Sequence, residues 1–320
     1  MSRYIRNTVI LAKPETTIST DSEPTGADNA ILVSDMSITP LDAQNIPRDL
    51  VRGYFGASEE LVGTASVRVT FTSELAGSGT AGIAPAWGNL LLACAFAESV
   101  LETPDRVEYR PITDALKTNT IHYHDSGVLH KLLGAMGNVR LSARVGQRPT
   151  MQFDFVGKDG GVSAVPNATP TLTAWKTPVA LTMANVVDLT LGATYADGAL
   201  TGGTTYPSTG IDLDMGNEVV FTPLLSSETV DVTNRAATGS IELDLTAAQE
   251  VTFMQTVKAN TTQSLALTIG TTSGSKIILF MPSVQLVTPS KAELNGKRLI
   301  GFGLRVLPSS GNDELLIAQV

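Results

Sequence analysis

Apolar and polar side chains alternate most clearly over residues 66–72. There Val67, Val69 and Phe71 fall on one side of an extended chain, and Ser66, Arg68, Thr70 and Thr72 on the other. A period of two predicts a strand with one face on a core and the other in water. The pattern returns as Ile241, Leu243 and Leu245 against Ser240, Glu242 and Asp244. Residues 64–71 align with 238–245 without a gap, and the same offset sets Leu50 and Val51 on Leu224 and Leu225. A second block repeats too. Residues 129–141 align with 274–286, placing Lys131 on Lys276, Leu132 on Ile277, Met136 on Met281, Val139 on Val284 and Leu141 on Leu286. Each copy is followed by a polar turn and a closing strand, 150–156 with Phe153 and 299–305 with Phe302.

Self-similarity at about half the chain length predicts a tandem duplication rather than a solenoid of short units. Each copy reads as a strand, a loop of about twenty residues, a strand, a helix, a hairpin and a last strand. The offset between copies shrinks after the helix because the first copy has a longer stretch there. Pro85 sits as a first-turn residue before Trp87, Leu90, Leu91 and Cys94, and Thr246 as an N-cap before a stripe of Val251, Met254 and Val257 or Lys258. The expected fold is mainly β with few helices: two sandwich or partial-barrel domains, 1–160 and 161–320, each with one α-helix and a long inter-strand loop. Residues 1–35 read as a leading arm, with a strand at 8–12, and 31–38 as the first true strand. The junction, about 157–210, is punctuated by Gly157, Gly160, Gly161, Pro166, Pro170 and Pro178, yet 180–194 and 206–214 have strand character.

The two long loops, 40–63 and 217–237, mix apolar groups with charge: Leu50, Val51, Arg52, Tyr54 and Phe55 in the first, Phe221, Leu224 and Leu225 in the second. Loops of this length are usually functional or disordered. They read as docking loops; the plainer alternative folds Tyr54 and Phe55 back on their own domain.

Composition agrees with a sheet protein able to bury a core, at 42% hydrophobic and 17% charged residues over 320 positions. The net charge of −9 without a basic tract argues against sequence-reading of nucleic acid, and the single cysteine excludes an intrachain disulfide. Residues 90–96, the longest apolar run, fall well short of a membrane span. The chain reads as a soluble protein made in a reducing cytosol.

Chemistry is sparse. His122, His124 and His130 would share one sheet face, a weak divalent-metal candidate, if 125–127 turned a hairpin pairing His124 with Val128. The second copy offers Leu267, Ile269 and Ser275 at these places, so an exposed strand face is the better reading. Cys94 reads as a small core residue. Glycines 77, 79, 202 and 203 lack the lysine or helix that phosphate cradling needs, no serine sits in a Gly-x-Ser-x-Gly elbow, and Glu59 and Glu60 lie in a charged, solvated loop. No enzyme activity and no cofactor are expected.

Two features carry a resemblance. One is the run Val9-Ile-Leu-Ala-Lys13-Pro-Glu15-Thr-Thr17, continued by Pro24-Thr-Gly26-Ala-Asp-Asn-Ala30-Ile-Leu-Val33, with Asn312-Asp-Glu-Leu315 near the end. The other is the duplicated unit. Together they resemble the major tail tube proteins of long-tailed bacteriophages with non-contractile tails. The chain departs from many relatives in carrying two tube domains, and in Ile18-Ser19 where Tyr-Gly is expected. The resemblance implies a virion protein made in the host cytoplasm, building rings that stack into a tube, with helices outside and DNA passing through the lumen. Rings in relatives hold six tube domains, so two per chain imply trimers with pseudo-six-fold symmetry. It also implies tape measure, tail terminator and distal tail or baseplate proteins as partners, and no membrane. The long loops at Leu50, Val51, Arg52, Tyr54, Phe55, Leu224 and Leu225 would reach the next ring. Ser66, Arg68, Thr70, Ser240, Glu242 and Asp244 would belong to the wet, lumen-facing side, with Arg68 in need of a carboxylate neighbour. The rival expectation is a tandem β-sandwich virion decoration or carbohydrate-binding adhesion module.

Overall fold

The computed structural model describes residues 3–320, with the backbone alone at 187 and 188. After a 3₁₀ turn at Ile5–Asn7 come β1 (Thr8–Pro14), β2 (Ala30–Ile31), β3 (Ser34–Ile46), β4 (Leu61–Glu74), α1 (Gly88–Leu92), β5 (Phe96–Glu102), β6 (Asp105–Pro111), β7 (Asn119–Asp125), β8 (Val128–Arg144) and β9 (Thr150–Ala164). The second half holds β10 (Val186–Ala196), β11 (Ala199–Tyr206), β12 (Ser208–Asp214), β13 (Asn217–Leu224), β14 (Ser227–Arg235), β15 (Thr238–Leu243), α2 (Ala247–Lys258), β16 (Thr262–Ile269), β17 (Ile277–Leu294), β18 (Lys297–Val306) and β19 (Leu316–Gln319). The fold is mainly β with few helices, as the alternation predicts.

Strand order follows one antiparallel course twice. In the first half β3 pairs with β4, β4 with β9, β9 with β8, β8 with β7 and β7 with β1. In the second, β12 pairs with β15, β15 with β18, β18 with β17, β17 with β16 and β16 with β10. Hairpin β5–β6, between α1 and β7, has no counterpart between α2 and β16; it occupies the longer stretch that the sequence offsets mark. The halves meet at a seam where β12 lies antiparallel to the end of β8, with Leu213 opposite Leu141 and Asp212 opposite Ser142. A second tie is β19, which pairs with β17 on one side and β6 on the other.

The alternating strand buries what it should. Val67, Val69 and Phe71 are at most 1% exposed. Phe71 lies opposite Phe153, and the rings of Phe71, Phe153 and Phe155 sit with centroids 5.7–5.8 Å apart, within the range of favourable aromatic pairs. The two aligned blocks are buried alike: Leu132, Met136, Val139 and Leu141 in one, Ile277, Met281, Val284 and Leu286 in the other. Across the seam, Leu141, Ala143, Ile211 and Leu213 extend the same core.

The helices depart from the sequence reading. α1 has only five residues: the chain leaves the helix through Ala95, at a positive φ of 61°, and enters β5 at Phe96, with residues 90–96 buried throughout. Trp87 still anchors it, its indole N–H donating to Ala76 O at 2.7 Å. α2 starts at Thr246 as expected, with a capping box to Gln249. Its inward residue is Phe253, wedged between Tyr206 and Phe302, with Met254 and Val257 beside it, and Val251 points to solvent. The stripe is therefore shifted from the one read off Val251.

The leading segment is no loose arm. β1 is central, with Ile10, Leu11 and Ala12 buried. The loop after it is pinned by Glu15, whose carboxylate accepts from the Ser19 and Gly134 N–H groups and the Thr118 and Thr120 hydroxyls at 2.7–2.9 Å.

Candidate assembly surfaces and the polar face

Residues directly opposite in an antiparallel ladder share a face. The registers therefore define a continuous polar surface. One row runs Glu74, Thr150, Ser142, Asp212, Ser240; the next runs Thr72, Gln152, Arg140, Asp214, Thr238. This surface forms a shallow concavity of about 710 Å³, lined among others by Thr72, Arg140, Ser142, Gln152, Asp212 and Ser240. Of the expected wet residues, Thr70, Ser240 and Glu242 lie on it half-buried, Arg68 exposed and Ser66 buried. Asp244 falls just past the end of β15, paired with Lys297 at 2.8 Å.

Three arginines on this face have carboxylate neighbours, whereas Arg305, opposite Thr238, is exposed without one among the described residues. Arg68 Nε lies 4.0 Å from Asp154 Oδ1, beyond hydrogen-bond length but within ion-pair reach. Arg140 Nε donates to Asp214 at 2.7 Å and Arg144 Nε to Asp212 at 2.8 Å, each hydrogen bond raising the guanidinium pKa. Burial would lift Asp214, but hydrogen bonds from Asn138, Arg140 and the Gly216 N–H hold it below the usual carboxylate range. Sequence reasoning missed this quartet, although Arg140, Ser142 and Arg144, and Asp212 and Asp214, alternate with buried Leu141, Ala143 and Leu213.

The two long loops differ. Residues 217–237 are not a loop: β13 and β14 form a separate two-stranded sheet. Its base sits on the first half, where Val230, Val219, Phe221 and Val232 pack against Met136, Val156 and Leu116. Asn217 locks the entry, its side-chain amide donating to Cys94 O at 2.8 Å and Gly137 O at 3.1 Å. The turn stands clear, with Leu225 fully exposed and Leu224 largely so. In the first half β3 and β4 extend further than expected and leave 47–60 between them. Val51 and Phe55 are fully exposed there, Tyr54 is 71% exposed and Leu50 46%; none folds back on the core. Arg52 reaches Glu59 at 3.3 Å, alongside an Arg48–Glu59 pair.

A family model described as phage tail tube protein matches residues 5–307, nearly the whole chain. The chain belongs to the phage tail tube protein family. No curated protein matches it. It is thus a structural protein of a bacteriophage virion, and the polar face and exposed loops are surfaces of a tail component.

The histidines of this tail tube protein are not a triad. Ser126 and Gly127, both at positive φ, make a two-residue turn that sets Asp125 opposite Val128, His124 opposite Leu129, Tyr123 opposite His130 and His122 opposite Lys131. The expected pairing was one residue out of step, and a one-residue slip sends every later side chain to the other face. His130 therefore lies on the face away from His122 and His124. Among the described residues no group of three or more His, Cys, Asp or Glu is placed to hold a metal ion. His122 instead meets Asp21 at 3.0 Å, and Lys131 donates to the same carboxylate at 2.7 Å. Burial lowers the pKa of all three imidazoles, for His122 against the raising effect of Asp21. Burial likewise pushes up the Cys94 thiol, which suits a core residue rather than a nucleophile.

Proposed function

We propose that this tail tube protein polymerises as stacked rings into the conduit for DNA ejection, and that the chain is a tandem duplication of one tube domain, divided near residue 160. The observation that carries this reading is the seam. A four-strand order, β3-β4-β9-β8, is followed edge to edge by β12-β15-β18-β17 in the same antiparallel sense. Two successive units in one sheet amount to two staves of a wall. Three chains would supply six staves, a trimer with pseudo-six-fold symmetry. Closing such a sheet removes the exposed edges that otherwise invite uncontrolled pairing. Contacts along the axis that do not close give an open filament.

The polar face is the surface we assign to the lumen. DNA is bound through lysine and arginine contacts that release counterions. Arg68, Arg140 and Arg144 have carboxylate neighbours and so offer few such contacts, leaving the exposed Arg305 opposite Thr238 as the unpaired arginine of the face among the described residues, and the polymer slides. The loop 47–60 and the turn at Leu224 and Leu225 are the contacts to the adjacent ring. Tape measure, tail terminator and distal tail or baseplate proteins complete the assembly.

Negative-stain microscopy and light scattering across a concentration series test the reading. Rings and stacked tubes of uniform width are expected at high concentration. A discrete monomer or closed trimer at every concentration would overturn it and favour a virion decoration or adhesion module.

A further inference from the structure

The seam joining β8 to β12 has a matching pair of edges that none of the described residues fills. Among the described residues, all ladder partners of β3 lie on β4, so its other edge is open. Beyond Gln285, where the ladder to β16 ends, β17 is paired among the described residues only with β18, and its other edge is open as far as Leu294.

The correspondence reaches single residues. Asp212 pairs with Ser240 on β15, and Asp42 pairs with Ser66 on β4, while Ser240 and Ser66 are themselves matched in the aligned blocks. The triplet Ile211-Asp212-Leu213 therefore stands where Leu41-Asp42-Ala43 stands. Burial tells the two apart. Ile211 and Leu213 are buried by the seam, whereas Leu41 is 52% exposed and residues 288–291 are all exposed.

The open edges carry a second mark. Pro40 lies in β3 and Pro289 in the distal part of β17, next to a register shift at Val287–Ser290 and a positive φ at Thr288. Proline and bulges blunt edge strands by removing a donor and twisting the ladder. The corresponding seam strands, β12 and residues 140–144 of β8, contain no proline. The free edges are thus guarded against indiscriminate pairing, and the seam, already filled, is not.

We propose that residues 38–43 of one copy pair antiparallel with residues 286–294 of a second copy, repeating between chains the contact that β12 makes with β8 within one. This rests on the ring reading and adds which edges meet. Leu41 then takes the buried place of Ile211, and Asp42 that of Asp212 on the polar face.

The test is cross-linking. Asp42→Cys is combined in turn with Val287→Cys, Ser290→Cys and Ala292→Cys, and assembled protein is treated with a short thiol-reactive bifunctional linker. Cys94 is fully buried and stays silent. A control keeps Asp42→Cys but puts the second cysteine at the exposed Thr261. At least one of the three pairs is expected to give covalent dimers and trimers at roughly tenfold or more the control yield, because a fixed contact raises the local thiol concentration. Rings that form normally with no yield above the control overturn the edge assignment while leaving the ring reading intact. Failure of the unsubstituted protein to form rings at any concentration removes the ring reading, and this proposal with it.

Discussion

Between β3 and β4 the chain runs out into 47–60, with apolar side chains in water. At the corresponding place between β12 and β15 it folds into the hairpin β13–β14. Both segments carry the same kind of residues, and Leu50-Val51 even aligns with Leu224-Leu225. The difference lies in what is within reach. The hairpin has a seat within the chain, formed by Met136, Val156 and Leu116; the loop has none. Apolar residues order a segment only where a surface lets them leave water, since fixing the backbone costs about 1–2 kcal/mol per residue. Order here depends on the supply of a partner surface more than on local sequence.

The comparison breaks most readily at the seat. Met136→Ala removes the buried side chain under the hairpin and should cost about 2–5 kcal/mol of stability in urea unfolding. Limited proteolysis, expected to fall within 47–60 in the parent, should then also cut within 217–235. A hairpin that stays resistant would mean the seat is not what orders it.

Asn217→Ala leaves the carbonyls of Cys94 and Gly137 without their buried donor. The expected loss is about 1–3 kcal/mol. Hydrogen exchange should quicken first at the hairpin base and not at 47–60.

A third segment sharpens the contrast, because it is held by charge. Residues 15–29 are pinned partly through the Asp21–His122–Lys131 cluster. The folded pKa values of His122, His124 and His130 lie below the usual 6.5, so the folded state binds fewer protons than the unfolded chain. The stability they contribute is present above 6.5 and is lost as pH falls toward the folded values. The thermal midpoint should drop between about pH 7.5 and about pH 5.5. His122→Gln should flatten part of that slope, and an unchanged slope would show that this cluster does not sense acid.

The smallest effect on stability belongs to the loop itself. Val51→Ser with Phe55→Ser should shift the unfolding free energy by no more than about 0.5 kcal/mol, as for surface changes generally. The same variant should stack poorly under the microscope. Normal stacking would detach these residues from inter-ring contact.

Much of the sheet was legible in the sequence. Val67, Val69, Phe71 and the repeated block around Val139 and Val284 declare their inward faces, because alternation and self-similarity report burial directly. What stayed hidden depended on geometry beyond the local pattern. A turn of two residues rather than three sent His130 to the other face. The run from Leu90 to Phe96 is apolar throughout, so its period could not say how short α1 is. Val251 has the right spacing for a stripe, but the position of Tyr206 and Phe302 selects Phe253. The candidate surfaces were half visible. Exposed Val51, Phe55 and Leu225 could be named from composition, while the arginine–aspartate quartet needed the β8–β12 register to bring its members together. The prolines at 40 and 289 were readable as edge marks only once both were known to lie in long strands.

Because the β8–β12 contact is made inside one molecule, it forms by a first-order event that dilution cannot touch. In the proposed assembly, the open edges of β3 and β17 and the contacts between rings are what answer to mass action. In the proposed ring, holding two units in one chain thus halves the number of side-by-side contacts that must form between molecules.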